Sequence, residues 1–250
     1  MNYHLQRMTA SDSTETIDWI TRQYGFDRNE VESWVEYLHF NWPLSVKAVD
    51  NNGKTIGMLN MSDYRIDDET EQIRHDNPEL LAKLNALKYT SVFSFIVKEE
   101  YRGTRLNYDM IQSIIPELQQ YDFVFIPVMH HLKTHQYWQR WGAREFYRNK
   151  NCVYYLLPMQ HHFTAVIERS GDLDAAYVRV PIDIRAVYGK GRLKVNATFD
   201  GESYRGSVVN MGVTNPDGSI CYIIGIPKAV RKKTGKSFGD TIEVTLYCQG

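Results

Sequence analysis

The chain has little of what would classify it at sight. Its 250 residues include only three cysteines, Cys152, Cys221 and Cys248, with no Cys-x-x-Cys pair. That excludes a disulfide framework and a cysteine zinc site. No stretch approaches the ~18 apolar residues of a membrane-spanning helix, and the opening Met1–Arg7 lacks the apolar run of a signal peptide. A reducing cytoplasm is the expected location. Neither sign of charge dominates: 29 Lys+Arg stand against 30 Asp+Glu, so no global excess points to nucleic acid or an anionic membrane. Internal repeats and low-complexity tracts are missing too. Aromatic residues are plentiful, with 17 Tyr, 10 Phe and 5 Trp in a chain that is 43% hydrophobic. This is globular composition with generous material for a core and a cleft.

Charge and patterning divide the chain near Pro158–His162. Residues 1–162 carry 17 basic and 21 acidic side chains, and residues 163–250 carry 12 and 9. Helical and strand patterns alternate before the seam, and short β runs dominate after it. Two domains are expected, 1–160 and 163–250.

In the first, Leu5–Met8 reads as a strand. Ile17, Ile20 and Tyr24 then share a helical face. Asp27 and Glu30 form a capping-box pattern ahead of Val31, Trp34, Val35 and Leu38. Leu44–Val49 and Thr55–Met61 flank Asp50-Asn51-Asn52-Gly53, a hairpin signal. Residues 65–77 are polar and acidic and read as an insertion, after which Pro78 opens a helix. Tyr89–Val97 is an aromatic, β-branched strand. A helix follows from Leu106, with Pro116 expected to break or restart it. Phe123–Val128 reads as a buried strand, Leu132–Trp141 as a helix and Arg144–Leu157 as a closing hairpin. The order is that of an α/β sheet.

Val97-Lys98-Glu99-Glu100-Tyr101-Arg102-Gly103-Thr104-Arg105-Leu106-Asn107 follows the central strand. It resembles the V-x-P-x-x-R-G-x-G-x-G/A turn of the GCN5-related N-acetyltransferase (GNAT) superfamily, and the resemblance spans about residues 3–157. It implies a mixed sheet flanked by helices and an acyl-CoA N-acyltransferase fold. It further implies acetyl-CoA as substrate, with Val97, Arg102, Gly103, Thr104, Arg105, Leu106 and Asn107 holding pantetheine and pyrophosphate. Amides at a helix N-terminus suit a pyrophosphate. Arg105 and Asn107 depart from the pattern. A guanidinium at 105 either pairs with phosphate or fills the space that phosphate needs.

A second signature, N-x-x-A-x-x-F-Y-x-x-x-G-F, corresponds to His131–Ala143. There Tyr137 and Gly142 fit, whereas Trp138 stands where many members carry the tyrosine that protonates the leaving thiolate. Indole cannot serve as that acid. The central strand holds no carboxylate, so His131 and Tyr137 are the candidates for moving protons, with a structural role as the plainer alternative for each. His131 and His135 have a metal-compatible i, i+4 spacing, but no His-Glu-x-x-His pattern accompanies it, and no metal is expected. The expected partner is a small-molecule or peptide amine. A non-catalytic binding module with this fold remains the alternative.

From Phe163 the expected strands are 163–168, 176–180, 192–199, 204–211, 220–226 and 241–247. A short helix runs from Pro227 to Gly235, a Pro-first, Gly-last arrangement. Val180–Arg185, Gly191–Gly201 and Pro227–Val244 resemble the domain-of-unknown-function family 1905, a small β-barrel. The last segment is also similar to the AbrB-type transcription-factor barrel. Lys228, Arg231, Lys232, Lys233 and Lys236 form a basic cluster. It is read as a solvated helix face, with phosphate contact by a regulatory nucleic-acid-binding protein as the rival.

Overall fold

A computed structural model describes residues 2–37, 39–171, 174–185 and 191–248; Leu38, expected on the second helix, lies outside them. The chain divides into two compact units, residues 1–130 with 145–156, and residues 131–144 with 157–250.

The first unit is built on a seven-stranded sheet of order β1-β2-β3-β4-β5-β7-β6. Its strands are β1 (Tyr3–Arg7), β2 (Val46–Asp50), β3 (Thr55–Ser62), β4 (Tyr89–Val97), β5 (Phe123–Met129), β6 (Arg144–Arg148) and β7 (Cys152–Pro158). β1 to β4 pair antiparallel, and β4 and β5 are parallel. The Asn-Gly hairpin forms as expected: Asp50 takes the Asn52 and Lys54 amides on its side chain, and Gly53 sits at φ 77°.

Helices cover both faces. α1 (Ser13–Tyr24) buries Ile17 and Ile20 and ends at Gly25, whose φ of 72° lets its N–H return to Thr21. α2 (Arg28–Tyr37) is capped by Asp27, whose carboxylate takes the Asn29 and Glu30 amides at 2.8 and 3.3 Å. Residues 65–77 form two short helices, α3 (Ile66–Glu69) and α4 (Gln72–Asp76), ahead of α5 (Pro78–Asn85). Ile66 and Ile73 are buried, so this acidic stretch is part of the core. α6 (Leu106–Leu118) packs Met110 over Gly57 of β3, where an added Cβ would lie 3.2 Å from the Met110 sulfur. Pro116 neither breaks nor restarts α6, contrary to the sequence expectation. It stands in the last turn, where its missing N–H removes a single intrahelical bond, and Arg7 binds the nearby Ser113 carbonyl at 2.7 Å.

In the second unit α7 (His135–Arg140) is shorter than the sequence suggested. A second seven-stranded antiparallel sheet has the order β8-β14-β11-β12-β13-β10-β9. The strands are β8 (Gln160–Val166), β9 (Glu168–Arg169), β10 (Ala176–Val180), β11 (Arg192–Phe199), β12 (Glu202–Val209), β13 (Tyr222–Ile226) and β14 (Thr241–Cys248). Its two edge strands, β8 and β9, are consecutive parts of one segment, so the sheet curls until its ends meet in the same stretch of chain. Alternation drives this: Val195, Ala197 and Phe199 of β11 and Ile242, Val244 and Leu246 of β14 point into one core. α8 (Lys228–Thr234) ends at Gly235, φ 70°.

Candidate functional site

The decisive geometry lies along β4. It pairs with β5 only at Tyr89–Phe123, Thr90–Val124 and Ser91–Phe125. Beyond that fork β4 continues to Val97 and β5 to Met129. On its other edge β4 meets β3 through a bulge: Asn60 opposes Ser94 and Met61 opposes Val92, leaving Phe93 as the extra residue. After the bulge the pairing phase is fixed by Lys98, whose N–H binds the Ile56 carbonyl at 3.0 Å. In an antiparallel ladder hydrogen-bonded pairs alternate with non-bonded ones. Ile96 and Ser94 therefore bond to β3, while Phe95 and Val97 turn their N–H and C=O groups the other way, toward the opening that β5 has left.

Two side chains meet that open edge. Arg102 Nε donates to the Val97 carbonyl at 3.3 Å, and the Phe95 N–H donates to the Tyr24 hydroxyl. The loop leaving β4 runs through a single turn at Glu99–Tyr101 to Gly103, φ 75°, and into α6. A Cβ at Gly103 would meet nothing within 4 Å, so the glycine is required by backbone conformation and not by close approach. Thr104 Oγ1 accepts the Leu106 amide at 3.3 Å and donates to the Tyr101 carbonyl at 2.7 Å.

Arg105 does not fill the turn. Its guanidinium bonds Asp109 at 2.8 Å, lies 5.3 Å from the Tyr108 ring centre and is largely exposed. Asp109 also accepts from the Tyr3 hydroxyl at 2.6 Å. Asn107, at the second position of α6, has its side-chain oxygen buried with no partner among the described residues. The first turn of an α-helix leaves its amides without intrahelical acceptors, and an amide side chain rotates to offer a donor instead. The residues fit an anionic ligand at this end of the opening.

Sequence reasoning missed the carboxylate of the site. Glu69, at the end of α3, is pushed by burial from 4.5 to about 7, with the Tyr64 hydroxyl bond acting against the rise. The Tyr64 ring is 6.0 Å from Phe125 and 6.4 Å from Phe93. Phe125 is in the last paired rung of β4 and β5, and Phe93 is the bulge, so Tyr64 and Glu69 stand over the fork. Cys152 and Tyr154 flank them: burial and the Glu69 charge push the Cys152 thiol to about 11. Asn149 donates to the Tyr154 hydroxyl at 2.9 Å, and Tyr154 stacks on Phe125 at 5.8 Å.

The residues singled out from the sequence separate into two groups. Val97, Arg102, Gly103, Thr104, Leu106 and Asn107 lie along the path from the end of β4 into α6, while Arg105 is on the helix surface. His131 and Tyr137 belong to the second unit. His131 is exposed on a turn that precedes α7, so it shares no helical face with His135, and the i, i+4 metal spacing does not arise. Among the described residues no three metal-type side chains are gathered. His130 is tied to the β6–β7 turn, its ring nitrogen 2.8 Å from the Asn149 carbonyl. Burial raises the Tyr137 phenol far above the ordinary range, with Trp141 as its hydrogen-bond partner. On α8, Lys228 and Arg231 pair with Asp174 and Lys233 with Glu202, and just beyond the helix Lys236 pairs with Asp200. The basic cluster is thus largely matched by acids.

The match to known proteins follows the same division. Residues 163–246 match the family described as Domain of unknown function (DUF1905). The first unit has a forked parallel pair, a bulged central strand and a glycine turn opening a helix. The chain carries its family match outside that unit. Among solved structures it is similar to a GNAT-family acetyltransferase from Staphylococcus aureus Mu50, with 14% identity over 63% of this chain and 99% of that one and a TM-score of 0.43. It is also similar to the ribosomal-protein-S18-alanine N-acetyltransferase of Escherichia coli, with 13% identity over 63% and 94% and a TM-score of 0.43. A third is the PaiA N-acetyltransferase of Thermoplasma acidophilum in complex with coenzyme A, with 9% identity over 63% and 99% and a TM-score of 0.42. No curated protein matches the chain. Among the described residues no helix is long and apolar enough to cross a membrane.

Proposed function

We propose that the first unit is an acyl-CoA-dependent N-acyltransferase that acetylates a small-molecule or peptide amine. One observation carries the reading: the open edge of β4 leads directly into an amide-rich helix start, and a near-neutral carboxyl stands over the fork on the face covered by α1 and α2. The pantetheine arm of acetyl-CoA carries two amides, which match the outward Val97 N–H and the outward Phe95 and Val97 carbonyls much as an added strand would. Gly103, Thr104, Leu106 and Asn107 at the start of α6 would face the pyrophosphate, where the helix dipole favours anions. Arg102, beside the Val97 carbonyl, adds positive charge.

Acyl transfer to an amine needs a neutral nucleophile. Glu69 at about 7 is close to the pKa at which a general base is most effective near neutrality. It takes the proton that the amine sheds as its nitrogen bonds to the thioester carbonyl. His131 and Tyr137 are not used in this assignment. The second unit is read as an accessory domain.

Calorimetric titration with acetyl-CoA tests the reading. Micromolar binding by the wild type, weakened at least tenfold in Arg102→Ala, is the expected result. The absence of heat and of any thermal shift at millimolar acetyl-CoA would refute it and leave a non-catalytic binding module.

A further inference from the structure

Acyl transfer from a thioester also needs a proton for the departing sulfur. The position that resembles the family's tyrosine is Trp138, whose indole does not release a proton. A phenol does reach the opening, from a different element. Tyr24 is the last residue of α1, held there because Gly25 ends the helix in the left-handed region, its N–H 2.9 Å from the Thr21 carbonyl. Its ring lies 5.8 Å from that of Phe26, and its hydroxyl accepts from the Phe95 N–H, one of the groups turned toward the fork opening. A phenol both accepts and donates, so accepting from Phe95 leaves the O–H to donate into the opening. Burial raises the phenol to about 12, while the Phe95 amide, which stabilises phenolate, acts in the opposite direction. The rings of Phe26, Trp34, Phe93 and Tyr64 connect Tyr24 to the Glu69 side of the fork.

We infer that Tyr24 is the proton donor to the leaving thiolate, acting from the place the Phe95 N–H gives it; this rests on the acyltransferase reading above. The amine lone pair forms the C–N bond and the carbonyl π pair moves to oxygen. As the carbonyl re-forms, the C–S bond breaks with its pair on sulfur, and the Tyr24 proton passes to that sulfur. The amine proton goes to the Glu69 carboxylate. Transfer of that proton through solvent to the Tyr24 phenolate restores both groups, so acetyl-CoA and amine become amide and coenzyme A.

The test does not depend on knowing the amine. Coenzyme A and desulfo-coenzyme A are titrated at alkaline pH into the wild type and Tyr24→Phe, with Tyr24→Met as a second variant should the first lose both ligands by misfolding. A phenol donating to a thiolate makes a charge-assisted bond, so the wild type is expected to prefer coenzyme A about tenfold. Both variants should bind the two ligands within about twofold of each other. An unchanged preference in the variants would overturn the role of Tyr24 and leave the acyltransferase reading standing. So would much tighter binding of both ligands by the variants, which would make Tyr24 a plug. Failure of the wild type to bind either ligand would refute the acyltransferase reading, and this inference with it.

Discussion

Glu69→Gln should stabilise the protein above neutral pH, and the size of the effect follows from burial alone. Its folded-state pKa is raised from 4.5 to about 7 because burial disfavours the carboxylate, with Tyr64 offsetting part of the cost. At ~1.4 kcal/mol per pH unit, the ionised form costs the fold roughly 3 kcal/mol. The contribution of the protonated group is fully present below 4.5. It is lost as pH rises between 4.5 and about 7, since the unfolded chain releases the proton first. Above that window the loss is constant. Glutamine keeps the shape and has no proton to lose. Urea denaturation of both proteins from pH 4 to 9 should therefore give curves that diverge between 4.5 and 7. Above pH 8 the variant should be more stable by roughly 3 kcal/mol, or on the order of 6–10 °C in Tm. Parallel curves would mean that Glu69 is solvated and ionises normally, which would remove it as a base tuned for neutral pH.

Other substitutions probe separate parts of the molecule. Arg105→Ala should leave acetyl-CoA affinity within about threefold of the wild type, because its guanidinium is bound to Asp109 on the helix surface; a tenfold loss by calorimetry would place it on the phosphates. Gly206→Ala should cost about 1–3 kcal/mol in thermal denaturation, since a Cβ there would lie 2.4 Å from the Tyr204 ring; an unchanged Tm would show that the ring moves freely. Arg231→Ala should destabilise the second unit by about 1–3 kcal/mol. It removes two bonds to Asp174, at 2.8 and 3.0 Å, and a contact 4.7 Å from the Phe238 ring, and wild-type stability in this variant would show those contacts to be idle. His161 is lowered from 6.5 to about 4 by burial and then by Arg144. Its neutral form thus stabilises the fold above 6.5, and stability falls as pH drops toward 4. His161→Gln should flatten that acid limb.

What the sequence shows and what it hides have the same physical cause. Strands with strict alternation or continuous apolar runs, such as Tyr89–Val97, Ala176–Val180 and Arg192–Phe199, can be read to the residue, because a face of period two admits a single register. The turn at Gly103 is legible because only glycine sits comfortably at its φ. Glu69 is hidden among neighbours of the same type: Asp67, Asp68, Glu71 and Asp76 share its stretch, and burial alone distinguishes it. A trace of it was present, since Ile66, Glu69, Thr70 and Ile73 fall at i, i+3, i+4 and i+7, which puts one carboxyl on an apolar face. Tyr24 is concealed differently. At i+7 from Ile17 it reads as core, and its ring does pack against the α1–α2 core. Where its hydroxyl points depends on which β4 amides are left over by β3, and that phase is set by a bulge at Phe93 that no glycine marks. The sheet decides which backbone groups face the opening, and the covering helices then supply Glu69 and Tyr24 from segments no sheet motif contains. On the proposed function, both proton transfers would come from these covering helices, and the Trp138 position would not have to supply an acid.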